Sequence, residues 1–130
     1  MSLKQDKAVE LKNRKGDAHY NCCQAVACVF ADETGLDEAV LRKLGACFGL
    51  GMGCTEATCG ALCGAQMIQG LMKFQGKPIR QDAAELYKKF VSKCGASICK
   101  EIKGSNNGGK ILCSCDDCVR NAVEILEEIM

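Results

Sequence analysis

Twelve of the 130 residues are cysteine, and a chain that rich in thiols follows one of two plans. Small secreted domains use such cysteines as a disulfide framework around many loops. A chain of 130 residues buries a sizeable core without that help, and its cysteines are then free for metal binding or redox chemistry. Two observations favour the second plan. The N-terminal stretch MSLKQDKAVELKNRKGD is polar and lacks the apolar centre of a signal peptide. The sequence also reads as helices rather than loops. A reducing, cytoplasmic setting is the expectation.

Strand-like alternation is nearly absent, and Pro78 is the single proline. Helical spacing recurs throughout, punctuated by glycine. The periodicity predicts a mostly polar helix from Leu3 to Lys15, stopped by Gly16. A second, capped by Asp17, runs to about Thr34 and ends at Gly35. Asp37 caps a third through Val40, Leu41, Leu44 and Phe48. A glycine-rich loop with Gly49, Gly51 and Gly53 leads to Cys54. Thr55 or Thr58 caps a fourth helix through Leu62, Met67, Ile68, Leu71 and Met72, ended by Gly76 and Pro78. Gln81 or Asp82 opens a fifth, with Ala84, Leu86, Tyr87, Phe90 and Val91 on its apolar face, stopped by Gly95. Cys99 falls in a short turn. Residues 103–110, KGSNNGGK, read as a flexible turn and the best place for mobility. Asp116 or Asp117 starts a last helix through Val119, Val123, Ile125, Leu126 and Ile129. No repeat or boundary interrupts this pattern. The expected architecture is all-α, a single compact bundle of five to six helices over residues 1–130.

Charge and hydropathy narrow the partners. Lys+Arg is 17 against Asp+Glu 16, a net charge of +1, so nothing points to nucleic acid or an anionic membrane. No apolar run reaches the roughly 18 residues a membrane span requires. Small residues around Gly60, Gly64 and Met67 form an apolar surface that could pack on its own copy, which gives the expectation of a homodimer.

The cysteines sort by their surroundings. Cys28 and Cys47 sit among Val, Ala and Phe at helical spacing, as core thiols do. Cys59 falls in the first turn of a helix, where free N–H groups and the helix dipole favour a thiolate. Its neighbours Gly60, Ala61, Gly64 and Ala65 are small enough to admit another backbone or a cofactor, and Cys63 lies one turn on. A tight helix crossing accounts for the same residues. Cys115 and Cys118 form C-x-x-C at a helix start, with Cys113 just before, a spacing for metal chelation or dithiol chemistry. Covalent haem attachment would need His after the second cysteine, and position 119 is Val. Cys94 and Cys99 flank the Gly95 turn. His19 precedes Cys22 and Cys23 by about one helical turn; a Cys–His dyad is one reading, an exposed helix-start histidine the more ordinary one. The glycines before Cys54 follow a helix, not a strand, which argues against a phosphate loop. A backbone nest aimed at thiolate or sulfide is the better use for them.

Taken together, the residues resemble a family of proteins described as redox-active and named for its cysteine pattern, C_GCAxxG_C_C. Its CGAxxG motif stands here as Cys59, Gly60, Ala61, Leu62, Cys63 and Gly64. The upstream element matches Asn21, Cys22, Cys23, Gln24, Ala25 and Val26, and the glycine-rich stretch matches Phe48 to Gly53. Gly95, Ser97 and Cys99 match a downstream element. Cys118 precedes the Ala-Val-Glu-Ile-Leu helix. The resemblance extends from about Gly16 onward. It implies a redox role, and an iron–sulfur cluster, since a related domain occurs in a multihaem cytochrome that also carries one. That protein's haem motif is missing here. Cys23, Cys54, Cys63, Cys113 and Cys115 are additions to the family pattern.

The leading functional expectation is electron transfer or redox sensing, with a redox partner protein, through an iron–sulfur cluster on Cys22, Cys59, Cys99 and Cys118. Cys63, Cys113 and Cys115 are possible substitutes in that set. Four thiolates suit zinc as well, so a structural zinc domain that binds a partner stays open. So does a metal-free thiol–disulfide protein using Cys59 with Cys63 or Cys115 with Cys118.

Overall fold

In a computed structural model of the chain, residues 2–104 and 108–130 are described. Among them there are eight α-helices and no strand, so the all-α expectation holds and the count of five to six is too low. The helices are α1 (Leu3–Lys12), α2 (Cys22–Cys28), α3 (Ala31–Thr34), α4 (Glu38–Leu44), α5 (Gly60–Lys73), α6 (Arg80–Cys94), α7 (Cys99–Ile102) and α8 (Cys115–Ile129).

The extra elements arise where a long predicted helix breaks. Gly16 adopts φ +66° and opens a 3₁₀ turn, Gly16–Ala18, so Asp17 caps nothing further on. The cap of α2 is Asn21. Its side chain accepts from the Gln24 N–H at 2.8 Å while the Gln24 side chain accepts from the Asn21 N–H at 2.8 Å, a reciprocal capping box. That helix stops at Cys28, and α3 resumes after Phe30, ending at left-handed Gly35 as predicted. Asp37 is the N-cap residue of α4, which ends at Leu44 and leaves Phe48 outside. Neither Thr55 nor Thr58 caps α5; that position belongs to Cys59. This helix ends before Phe74, ahead of Gly76 and Pro78. Gly95 stops α6 with φ +90°. Ser114, not an aspartate, caps α8 by accepting from the Asp117 N–H.

The core lies where α2, α5 and α8 meet. Buried side chains come from Val26 of α2, Leu62 and Ile68 of α5, and Val119, Val123 and Leu126 of α8. Leu86 and Phe90 of α6 and Leu11 of α1 close the sides. Gly60 and Gly64 set the α2–α5 spacing. A Cβ on Gly64 would stand 2.6 Å from the Cys23 carbonyl oxygen, and one on Gly60 2.7 Å from that of Phe48. The small-residue stripe is therefore a tight helix crossing within the chain. Gly60 and Gly64 are buried by it, while Met67 stays part-exposed. The flexible turn expected at 103–110 falls partly on residues 105–107, which lie outside the described residues.

Candidate functional site: a pocket of converging thiols

A short stretch of backbone pairing brings two of the cysteines together. Thr58 and Ile98 form an isolated antiparallel bridge. On either side the Cys59 N–H donates to Ser97 O at 2.7 Å and the Cys99 N–H to Ala57 O at 2.9 Å. Cys59 thus enters α5, and Cys99 enters α7, side by side. Ahead of the bridge the chain makes a left-handed turn, Gly49–Met52. Leu50, Met52 and Thr55 have φ of 54°, 61° and 62°, conformations that side chains adopt at a cost of about 1 kcal/mol or more each. Gly51 sits within this turn against Cys99; a Cβ there would come 2.6 Å from the Cys99 Cβ. The N–H groups of Gly53, Cys54 and Thr55 donate back to the carbonyls of Gly49, Gly51 and Leu50.

Against this turn lies a pocket lined by Cys22, Cys59, Cys99, Cys115 and Cys118, with Leu50, Gly60, Ile102 and Lys103. Cys22 arrives at the start of α2, Cys59 at the start of α5, Cys99 at the start of α7, and Cys115 and Cys118 in the first turn of α8. All four residues of the expected ligand set, Cys22, Cys59, Cys99 and Cys118, are brought to this one place, and so is the substitute Cys115. Helix starts concentrate free N–H groups, and at Cys59 those of Ala61 and Leu62 serve the sulfur directly. The cavity is about 20 Å³. Among the described residues no three of these five sulfurs lie within 4.8 Å of one another, so a metal ion or a cluster needs the thiol side chains to turn toward one centre. The donor set is entirely sulfur, with apolar walls and one cation, which suits zinc, copper(I) or iron–sulfur chemistry and not magnesium or calcium.

The electrostatics divide the thiols. The Cys59 pKa is lowered, first by hydrogen bonding with Cys118 and then by the backbone N–H groups of Ala61 and Leu62, against the opposing effect of burial. Cys115 is lowered by hydrogen bonding with Cys22, with Lys103 and Lys12 helping. Cys22 and Cys118 are driven up in return, holding the protons for Cys115 and Cys59 respectively. Lys12 also pairs with Asp116 at 2.9 Å, which fixes a positive charge beside the start of α8.

Behind the pocket stands a second group. The sulfurs of Cys94, Cys113 and Cys118 all lie within 4.8 Å of one another, close enough to hold a metal ion. The Asn121 amide donates to Cys94 Sγ at 3.4 Å and to Cys113 Sγ at 3.7 Å. Cys94 and Asn121 carried no role in the sequence reading, although Asn121 follows Cys118 by three residues and so shares its helix face.

The other cysteines are elsewhere. Cys63, expected as a substitute ligand, does not line the pocket; its sulfur faces Thr58 O at 4.0 Å. Cys23 is buried with its thiol on the Met67 sulfur at 3.6 Å, and Cys28 is buried with its thiol on Glu38 O. Cys47, read as a core thiol, is exposed, because α4 ends three residues before it; Cys54 is exposed too. His19 is exposed, with its ring on Arg14 O, which is the ordinary reading rather than a Cys–His dyad.

A family model described as "Putative redox-active protein (C_GCAxxG_C_C)" matches residues 20–129. The chain belongs to this family. The match runs from just before α2 to the end of α8, so every helix that supplies a pocket cysteine belongs to the C_GCAxxG_C_C region. No curated protein and no solved structure matched the chain. Among the described residues, no helix is long and apolar enough to cross a membrane.

Proposed function

We propose that this chain is an electron-transfer or redox-sensing protein that holds an iron–sulfur cluster on Cys22, Cys59, Cys99 and Cys118. The observation that carries the reading is the convergence of thiols from four helix starts on one apolar pocket. Iron–sulfur clusters are held by cysteine thiolates, and backbone N–H groups near the sulfurs tune them. The residues present fit that requirement. The Ala61 and Leu62 amides favour the Cys59 thiolate, and Lys12 and Lys103 offset thiolate charge beside Cys115. Cys115 is the fifth sulfur and the natural replacement for a lost ligand. Such a cluster accepts and returns an electron. The strained turn at Leu50 to Thr55 supports a functional reading of its surroundings, since strained backbone concentrates at functional sites.

This reading takes the chain as one redox unit acting in the cytoplasm with a redox partner protein. Exposed Leu50 and part-exposed Lys103 border the pocket and give such a partner an apolar contact and a charge. The dithiol pairs expected of a metal-free protein find less support. Cys63 turns away from the pocket that Cys59 lines, and Cys115 is engaged with Cys22 while Cys118 is engaged with Cys59 and Cys94.

The test is preparation without oxygen and reconstitution with ferrous iron and sulfide, followed by metal and acid-labile sulfide analysis and visible spectra. The expected product is brown, with iron and sulfide in matching amounts. Cys59→Ser and Cys118→Ser lose both, while Cys47→Ser and Cys54→Ser, at exposed positions, keep both. Tight zinc without sulfide would replace this reading with the structural zinc domain. A colourless protein that binds neither would leave only thiol–disulfide chemistry.

A further inference from the structure

We propose that Cys94 and Cys113 form a reversible dithiol–disulfide couple at the back of the pocket, held in place by Asn121. The proposal stands on geometry outside the motif residues. Neither cysteine lines the pocket, yet their sulfurs lie within 4.8 Å of each other. A disulfide needs the sulfurs at about 2 Å, so the two side chains must turn toward each other to form it. Both residues sit at the ends of helical segments. Cys94 is the last residue of α6, followed by left-handed Gly95. Cys113 lies just outside α8, before the Ser114 cap. Its segment is anchored by the Leu112 N–H donating to Ile102 O at 2.8 Å.

Access and orientation complete the site. Cys94 is buried and Cys113 is half-buried, so Cys113 is the thiol that a reagent meets first. The Asn121 amide donates to both sulfurs. It has no reason to favour a neutral disulfide, and it stabilises the pair in the reduced state, where the sulfurs are better acceptors. Cys118 belongs to this group as well as to the pocket. Oxidation of the pair therefore removes two of the neighbours of a pocket cysteine.

The oxidant is a small-molecule disulfide. Cys113, its proton given up to solvent, attacks one of its sulfurs as the thiolate; the reagent's S–S bond breaks, one thiol leaves on taking up a proton, and a mixed disulfide remains on Cys113. Cys94 then attacks the Cys113 sulfur and displaces the second thiol. Two protein thiols become one disulfide, the reagent becomes two thiols, and the two protons released by the protein end on them.

The full chain, reduced and then equilibrated in buffers of a small thiol and its disulfide, is quenched with an alkylating reagent and weighed. The expected result is a step in which two of the twelve thiols escape alkylation together. Fragmentation of the wild-type protein then places the bond between Cys94 and Cys113. Cys94→Ser and Cys113→Ser each abolish that step and retain iron, whereas Cys22→Ser and Cys59→Ser keep the step and lose iron. Failure of the couple is thereby separated from failure of the cluster reading. Asn121→Leu, its fold checked by circular dichroism, moves the midpoint about tenfold toward oxidation, about 30 mV for a two-electron couple. The proposal is overturned if no two-thiol step occurs, if the bond maps to Cys118 or another cysteine, or if Cys113→Ser loses iron as Cys59→Ser does.

Discussion

Gly64 offers the sharpest test of how the pocket is positioned. Its ideal Cβ falls 2.6 Å from the Cys23 carbonyl oxygen and 3.2 Å from the Val26 Cβ. The nearer atom is backbone, so it moves only if α2 moves. Overpacking of this kind costs about 1–3 kcal/mol, and a backbone clash belongs at the upper end. Alanine recovers about 1 kcal/mol of helix propensity over glycine. Gly64→Ala is therefore expected to destabilise the fold by about 2 kcal/mol. Gly70 lies in the same helix with nothing within 4 Å of its ideal Cβ. Gly70→Ala keeps the propensity gain and loses nothing, so it stabilises by about 1 kcal/mol. The two substitutions, chemically identical and less than two turns apart, should differ by about 3 kcal/mol, or roughly 10 °C in midpoint for a chain of this size. Urea and thermal unfolding of the reduced protein, followed by far-ultraviolet circular dichroism, measures the difference. Because α2 carries Cys22, Gly64→Ala should also load less iron on reconstitution while Gly70→Ala loads normally. Equal shifts of the same sign in both variants would refute the close α2–α5 approach on which the placement of Cys22 rests.

Three further outcomes follow from single contacts. Asn21→Ala removes the capping box of α2 and the donors to Gly45 O and Ala46 O; a loss of about 1 kcal/mol in urea unfolding is expected. Tyr20 is pushed up to about 12 by burial and by its hydrogen bond to Glu38. Its contribution to stability is complete below pH 10, the ordinary tyrosine value, and is lost as pH rises through 12; Tyr20→Phe should remove the tyrosinate absorbance that appears near pH 12. Gly95→Ala must hold a side chain at φ +90° against Leu112, a cost of about 1–3 kcal/mol, read as a lowered thermal midpoint.

Much of the helical plan is local and so was legible. Gly35 and Gly95 stop helices because they take left-handed conformations that other residues resist, and the apolar spacing of α8 marks its buried face directly. Breaks were harder to see. Asn21-x-x-Gln24 carried a capping signal equal to that of Asp17, but choosing between them needs the position of α4. Gly45 comes within reach of Gln24, with its ideal Cβ 3.1 Å from Gln24 Cγ, and its carbonyl takes the Asn21 amide. The conformations of Leu50, Met52 and Thr55 have no local cause at all, since nothing in Leu, Met or Thr favours a positive φ. They accompany the turn's own hydrogen bonds and the seating of Gly51 against Cys99, a contact between residues far apart in sequence.

The same division runs through the thiols. Family resemblance selected Cys22, Cys59, Cys99 and Cys118, and each proves to be at the start of a helix, where side chains from separate segments can aim at one point. Resemblance could not rank the added cysteines, because their roles are set by helix phase and by where helices end. Cys63 follows Cys59 by four residues and shares its helix face in principle, yet the N-cap geometry turns Cys59 into the pocket while Cys63 lies inside the helix proper with its sulfur on Thr58. Cys47 misses the core because α4 stops short of it. Cys115, Cys118 and Asn121, spaced by three residues along α8, lie along one side of that helix. That side faces Cys22 at its first position, Cys59 and Cys94 at its second, and Cys94 with Cys113 at its third. A single helical face thus connects the front of the pocket to the thiols behind it, and Cys118, at its middle, is the residue whose substitution must disturb both.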